Sequence, residues 1–435
     1  MLDWLYGLRH FGVKLGLDNI RALLAHLGRP DRQLPYIHVG GTNGKGSVVA
    51  MLDAMLRAHG LTTGMYTSPH LVRPNERIRI DGDDIDDRSL DEILRFIRHA
   101  IDEGLSSGAL AAHPSFFEVL TACALQSFAD RGMQAGLLEV GLGGRLDATN
   151  VVDSPVAVVV SLDLDHTKTL GPTLMHIAYE KAGIVKPGQT LISGVEQPEG
   201  RSILGDTCDE RGARLIRASE QLQVVGQDAD RFSLVGDNRR YDDLRVRLAG
   251  DHQRFNARIA VLALEEFLKV TGTPIDAGAV RDGLAVVRWP GRLQSMAATS
   301  AHPNLLLDAA HNPAGLAALN SYLARTPLKG PAVIVFGATS GKDPETLFAP
   351  LARHADHVVL TRPLVDRGVA PESLEAVAAK HFRRVDVCVS QESALRQAYD
   401  AAGPSGTVLI TGSLYLVGDL LGLIEGRPTT RSIAM

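Results

Sequence analysis

The 435 residues carry 45 Lys and Arg against 50 Asp and Glu, a formal net charge of −5, with 45% apolar and 22% charged residues. That balance excludes a disordered or collagen-like chain. It also gives no general pull toward nucleic acid or an anionic membrane, so any polyanion must be held by a local site. The length is about two to three times a single core of ~150 residues, so two domains are expected.

Residues 1–17 carry Asp3, Arg9, His10 and Lys14 and lack an apolar h-region, so they do not read as a secretory signal. No run approaches the ~18 apolar residues a membrane-spanning helix needs. Cys123, Cys208 and Cys388 lie far apart without a CxxC spacing and read as reduced core thiols. A cytoplasmic location is expected, with neither nucleic acid nor membrane as partner.

A short strand at Tyr36-Ile37-His38-Val39 is followed by a predicted helix over 46–59. There Val48, Met51, Leu52, Met55 and Leu56 recur at helical spacing, and Gly60 stands as a stop. A strand over 62–66 completes a βαβ unit. Leu137-Leu138-Glu139-Val140, interrupted only by Glu139, and the run 156–160 are apolar runs of the kind central parallel strands buried on both faces show. Between about Asp206 and Asp251 the pattern weakens into polar short strands (232–234, 241–248), read as a small β-rich lobe, and helical spacing resumes over 256–270. Arg288-Trp289-Pro290-Gly291-Arg292 interrupts the series, and a second α/β alternation begins at Leu305. Further strands are predicted at 333–336, 357–360, 385–389 and 408–410. The expected fold is α/β: a doubly wound P-loop ATPase domain over 1–288 carrying the β-rich lobe, a hinge linker at 289–294, and a smaller Rossmann-like α/β domain over 295–435. The basic tail at Arg427 and Arg431 reads as a frayed end.

The sharpest local signal is Gly40-Gly41-Thr42-Asn43-Gly44-Lys45-Gly46-Ser47 between a predicted strand and helix. Glycines let backbone N–H groups approach phosphates, the helix N-terminus adds positive potential, and Lys45 can reach the β- and γ-phosphates. Gly46 separates the lysine from Ser47, unlike the usual GxxxxGK[ST], and no guanine-reading NKxD occurs; both argue against a GTPase switch. Ser68 in Thr67-Ser68-Pro69-His70-Leu71, Glu139, and His166 in Asp163-Leu164-Asp165-His166 follow parallel strands at their carboxyl ends, where open α/β sheets place ligands. Singly, Ser68 is as readily a turn residue and His166 a structural histidine. Glu180-Lys181 reads alone as a solvated helix face, Asn256 as helix surface, and Asp308-Ala309-Ala310-His311-Asn312-Pro313 as a strand end with Asn312 capping a helix.

Together these motifs resemble the dihydrofolate synthase/folylpolyglutamate synthase family of the wider Mur ligase group, over nearly the whole chain. His38-Val39-Gly40-Gly41-Thr42-Asn43-Gly44-Lys45-Gly46-Ser47 is similar to that family's phosphate loop, with Gly40 where alanine is usual. Residues 337–343, including Lys342-Asp343, and 411–416 also match family segments. The resemblance implies that residues 41–47 hold ATP, that Ser68, Glu139 and His166 bind Mg²⁺, and that a carbamylated Lys181 helps hold a second Mg²⁺. It further implies that Arg292 contacts ATP, that Asn256 lies near the adenine, and that Asp308 and His311 face the nucleotide and the reacting centre, making Lys45, Lys181, Asp308 and His311 the catalytic set. The implied reaction joins L-glutamate to dihydropteroate and to reduced folates through an acyl-phosphate, releasing ADP and phosphate. Residues 67–71 and 75–77 resemble mobile loops around the pterin, and Phe116-Phe117-Glu118 suggests an aromatic wall. A bifunctional enzyme is favoured over folylpolyglutamate synthase or dihydrofolate synthase alone, over another Mur-type amide ligase and over a nucleotide switch; a monomer is expected.

Overall fold

The computed structural model describes residues 1–8, 16–228 and 231–427. Arg9, His10, Lys14 and Arg431 lie outside the described residues. Within them, the first part of the chain forms strands β1 Tyr36–Gly40, β2 Thr63–Tyr66, β3 Ile78–Ile80, β4 Asp83–Asp84, β5 Ala135–Glu139, β6 Val156–Val159, β7 Thr190–Ser193 and β8 Arg214–Arg217. They make one sheet in the order β4-β3-β2-β5-β1-β6-β7-β8. The run from β2 to β8 is parallel, and β3 and β4 add an antiparallel edge.

The apolar strands are explained by helices on both faces. Ile37, Val39, Leu137 and Val158 pack against helices Lys45–Ala58 and His252–Thr271. Tyr36 and Leu138 point the other way, toward helices Asp87–Ser107 and Phe116–Asp130. In Lys45–Ala58 the predicted stripe of Val48, Met51, Leu52, Met55 and Leu56 is fully buried, each side chain contributing about 1.5–3 kcal/mol of transfer free energy.

Two sequence expectations need correction. The stretch from Asp206 is not wholly a β-rich lobe: it continues helix Pro198–Arg211 and then forms β8 on the edge of the large sheet. Only β9 Gln223–Asp228, β10 Arg231–Val235 and β11 Arg240–Leu244 make the separate antiparallel sheet, whose last strand ends at Leu244. The polar edge strand Arg-Leu-Ile-Arg hides its membership because it is covered less than the centre.

The second sheet contains β12 Gln294–Met296, β13 Asn304–Leu307, β14 Ala332–Phe336, β15 His357–Leu360, β16 Arg384–Val387 and β17 Thr407–Thr411, in the order β12-β13-β17-β14-β15-β16. All neighbours are parallel except β12, which pairs antiparallel with β13 and was not foreseen from sequence. Val287 is buried in the first core and Leu293 in the second, so the change of core falls at the Trp-Pro-Gly-Arg segment. The lobes also touch elsewhere. Leu71 and Val72, from the first lobe, are buried with Leu416, Val417 and Leu420 of the second, and a Cβ on Gly418 would lie 2.1 Å from the Leu71 carbonyl oxygen.

The segment expected to be a mobile loop is therefore wedged between lobes. The Glu76 carboxylate also ties it, accepting from the backbone N–H groups of Leu71, Val72 and Arg73 at 2.7–2.9 Å. Among the described residues no helix is long and apolar enough to cross a membrane, and the three cysteines are free and buried.

Candidate active site

Strand β1 sits where the chain's path reverses, with β5 on one side and β6 on the other. A crevice forms at such a point, beyond the carboxyl ends of the strands. Here it opens into a cleft of about 920 Å³ between the lobes. Gly41, Thr42, Asn43, Gly44, Lys45, Gly46, Ser47, Ser68, Glu139, His166, Lys181, Asn256, Arg292, Asp308 and His311 all line it.

The loop is held by its neighbour after β6. Thr42 N–H donates to Ser161 O at 3.0 Å, Asn43 N–H to Ser161 Oγ at 2.9 Å, and Asp163 N–H to Thr42 Oγ1 at 3.1 Å. Gly41 (φ 144°) and Gly44 (φ 84°) adopt backbone conformations that disfavour other residues. Gly46 is needed for a different reason: a Cβ there would lie 2.7 Å from the indole Nε1 of Trp289 in the linker. That contact accounts for the glycine that separates Lys45 from Ser47. The Lys45 ammonium folds back on Gly41 O (3.1 Å) and Thr42 O (3.3 Å), and burial lowers its pKa, with Glu139 opposing the shift.

Ser68 and Glu139 are neighbours: Ser68 N–H donates to the Glu139 carboxylate at 3.2 Å. Burial raises the pKa of Glu139, and Lys45 pulls it back. Ser68 Oγ is buried without a hydrogen-bond partner. His166 is depressed to about 4, chiefly by burial, and so offers a neutral imidazole. The unpartnered Ser68 hydroxyl and the neighbouring Glu139 carboxylate are oxygen ligands of the kind a hydrated Mg²⁺ takes, whereas the imidazole nitrogen of His166 is a softer donor than that ion prefers.

Lys181 does not lie on a solvated face. It is 4% exposed, its ammonium makes no hydrogen bond among the described residues, and its pKa is lowered to about 7 by burial and then by Lys45. Its partner in the bland reading, Glu180, instead pairs with Arg145 at 2.8 Å. Five residues on, Lys186 donates to Asn150 O, Asn150 Oδ1 and Val152 O at 2.8–3.0 Å and has the structural role.

Across the cleft, both Asp308 carboxylate oxygens accept backbone N–H groups, from Leu293 (2.9 Å) and Ala310 (3.0 Å). Burial raises its pKa, opposed by Arg292. Asn312 caps helix Pro313–Arg325 by accepting from Gly315 N–H at 2.8 Å. Its amide also donates to Asp165 Oδ2 (3.0 Å) and Asn43 Oδ1 (3.1 Å) in the other lobe. Asp165 is ion-paired with Lys342 and lies 3.6 Å from His311 Nε2. Burial would raise the Asp165 pKa, yet His311 and Lys342 hold it well below the carboxylate range. Sequence reasoning quoted Asp165 and Lys342 within motifs without seeing that they meet. Positions 177 residues apart carry no local signal of pairing.

Phe116 and Phe117 do not line this cleft. Phe117 packs on Tyr66 with ring centroids 5.8 Å apart, and Phe116 lies 5.3 Å beneath the guanidinium carbon of Arg77. Arg77 is fully buried; its Nε donates to His70 Nδ1 at 2.9 Å, while both terminal nitrogens are unpaired. The two rings thus pack around Arg77 and Tyr66 in the first lobe rather than forming a wall of the cleft.

A phosphate loop facing a second α/β lobe across a cleft is the arrangement of an ATP-dependent ligase of the Mur class, and residues 291–414 match the Mur ligase, glutamate ligase domain. The dihydrofolate synthase/folylpolyglutamate synthase of Bacillus subtilis is 33% identical over 425 residues, 96% of this chain and 97% of that one. Mycobacterium tuberculosis folylpolyglutamate synthase complexed with ADP superposes with a TM-score of 0.87 at 34% identity, covering 99% of this chain and 100% of that one. Escherichia coli FolC in complex with DHPP and ADP gives 0.86 at 31%, covering 98% and 97%. The chain belongs to the dihydrofolate synthase/folylpolyglutamate synthase family.

Proposed function

We propose that this chain is an ATP-dependent ligase that adds L-glutamate to dihydropteroate, forming dihydrofolate, and to reduced folates, forming folylpolyglutamates. The observation that carries the reading is the cleft itself, on which the phosphate loop with Lys45 and the second lobe's Asp308 and His311 both open. The acceptor's carboxylate oxygen attacks the γ-phosphorus of ATP and ADP leaves. The α-amine of glutamate then attacks the acyl carbon, phosphate leaves, and the amine loses a proton as the amide forms.

The backbone N–H groups of Lys45, Gly46 and Ser47 at the helix N-terminus, the Lys45 ammonium and Arg292 stabilise charge on the transferring phosphoryl group, while those of Thr42 and Asn43 hold the loop to Ser161. His311, oriented by Ala309 O at 2.8 Å, faces the reacting centre from the second lobe. Asp308 fixes the linker's end by holding Leu293 N–H, and so positions Arg292. Approach of the two lobes across the cleft would keep water from the acyl-phosphate. Asn256 borders the loop on the side where the base leaves it.

Ser68, Glu139 and His166 would hold one Mg²⁺, which supplies charge neutralisation at the phosphates. Lys181 would help hold a second after carbamylation. An amine depressed to about 7 has a substantial unprotonated fraction at neutral pH, and only the free amine adds CO₂. We further take the division at 289–294 as the functional hinge, and the enzyme as a cytoplasmic monomer.

The test is ADP release with Mg-ATP and L-glutamate, run with dihydropteroate and separately with tetrahydrofolate, with mass spectrometry of products. Glutamate addition to both acceptors is expected. Addition to one alone would reduce the reading to a single activity, and addition to neither would remove the pterin assignment.

A further inference from the structure

Helix His252–Thr271 begins beside the phosphate loop. A Cβ on Gly44 would lie 2.9 Å from Asn256 Oδ1, and Gln253 Nε2 donates to Ser47 Oγ at 3.4 Å. The helix's first two turns therefore form one wall of the cleft directly beside the loop, within reach of a nucleoside attached to phosphates there. Two side chains there have no role in the proposed chemistry. Phe255 is 46% exposed and lines the cleft. Of the large apolar side chains exposed among the described residues, only Leu164 and Phe255 line the cleft, and Phe255 alone of the two is aromatic.

Arg258, one turn further along, is 8% exposed, also lines the cleft, and places its guanidinium carbon 5.5 Å from the Phe255 ring centroid. Its Nε is buried without a partner, and the nearest carboxylate, Glu196, is 3.9 Å from Nη2. A phenyl ring left in water and a buried donor left unsatisfied both cost free energy that a flat, hydrogen-bonding ligand would recover. Base–aromatic stacking is worth ~1–3 kcal/mol per base.

We propose that Phe255 is the stacking platform for the purine of the nucleotide, held in place by Arg258, and that this pair sets the requirement for a base on the triphosphate. The assignment rests on the nucleotide reading above but adds a residue that the phosphate loop does not imply. A base recognised by stacking gains most of its contact area on a plane, so replacing the ring by a methyl removes the platform and spares the phosphate contacts. A second aromatic residue should preserve it.

The experiment is calorimetric titration of the full chain, in magnesium-containing buffer, with ADP and with inorganic tripolyphosphate, for wild type, Phe255→Ala and Phe255→Tyr. The expected result is about tenfold weaker ADP binding in Phe255→Ala, equivalent to ~1.4 kcal/mol. Tripolyphosphate binding should stay within about twofold, and Phe255→Tyr should bind ADP like wild type. Unchanged ADP affinity in Phe255→Ala overturns the proposal. So does an equal loss for ADP and tripolyphosphate, which would mean that the ring only supports the loop. Wild-type protein that binds neither probe overturns the nucleotide reading and the platform with it.

Discussion

Two strand–loop–helix turns face each other across the cleft and solve different problems. In the first lobe, β1 runs into residues 41–44 and helix Lys45–Ala58, a turn built from backbone N–H groups, glycines and one lysine. In the second, β13 runs into residues 308–312 and helix Pro313–Arg325, with side chains in place of glycines: Asp308, His311 and Asn312. The first turn suits a polyanion, because its helix N-terminus leaves backbone donors free and its lysine is desolvated. The second suits closure, because its carboxylate grips its own linker and its histidine and asparagine reach Asp165 in the opposite lobe. A ligase needs both functions, and here they are divided between lobes.

The comparison breaks most sharply at Lys45. Lys45→Ala should reduce ligase turnover by on the order of 10³-fold with little change in thermal midpoint, since the side chain bonds only to its own loop. A steady-state ADP-release assay with a melting curve checks this; a loss below tenfold would move the phosphate site elsewhere.

Lys181→Ala should cost about 10²-fold in turnover, a loss of the size found for a single electrostatic group in a desolvated site. Protein incubated with ¹³C-bicarbonate should give a carbamate carbon resonance in wild type that is absent from this variant. An active wild-type protein without that resonance would refute the modified lysine.

Closure is tested by the pair across the cleft. Lys342→Met and Asp165→Asn should each lower kcat/KM by roughly tenfold or more, and the double variant should lose less than the two added together. The coupling should be about 1–3 kcal/mol in stability, as for contacting charged groups. Strict additivity would show that the ion pair does not join the lobes.

The smallest effect is expected where linker and loop touch. Gly46→Ala forces a Cβ to within 2.7 Å of the Trp289 indole, so ADP affinity should fall by about three- to tenfold, equivalent to about 0.6–1.4 kcal/mol, the low end of an overpacking cost of ~1–3 kcal/mol because the indole can shift. Trp289→Leu in that background should recover part of it. No recovery would mean that the glycine serves the backbone alone.

The loop's legibility in the sequence follows from its being local. Glycine spacing, the strand before it and the amphipathic helix after it are consecutive, and the structure builds them as read, with the helix starting at Lys45 and its apolar stripe buried. The central strands were equally plain because both their faces are covered. The polar edge strand β8 and the short antiparallel β12 were missed, since an edge needs little apolar pattern. Asn312 was read as a helix cap, which it is, and its amide also donates across the cleft to Asp165, which no local pattern announces.

Sequence alone determined the fold class, the phosphate loop and the strand-end positions of Ser68, Glu139 and Asp308, because each depends on neighbours within a few residues. Tertiary structure decided which of two lysines five apart is left unpaired, why Gly46 must be glycine, and that Asp165 belongs with Lys342, His311 and Asn312. Those facts depend on desolvation and on contacts between distant segments, which exist only once both lobes have folded and met.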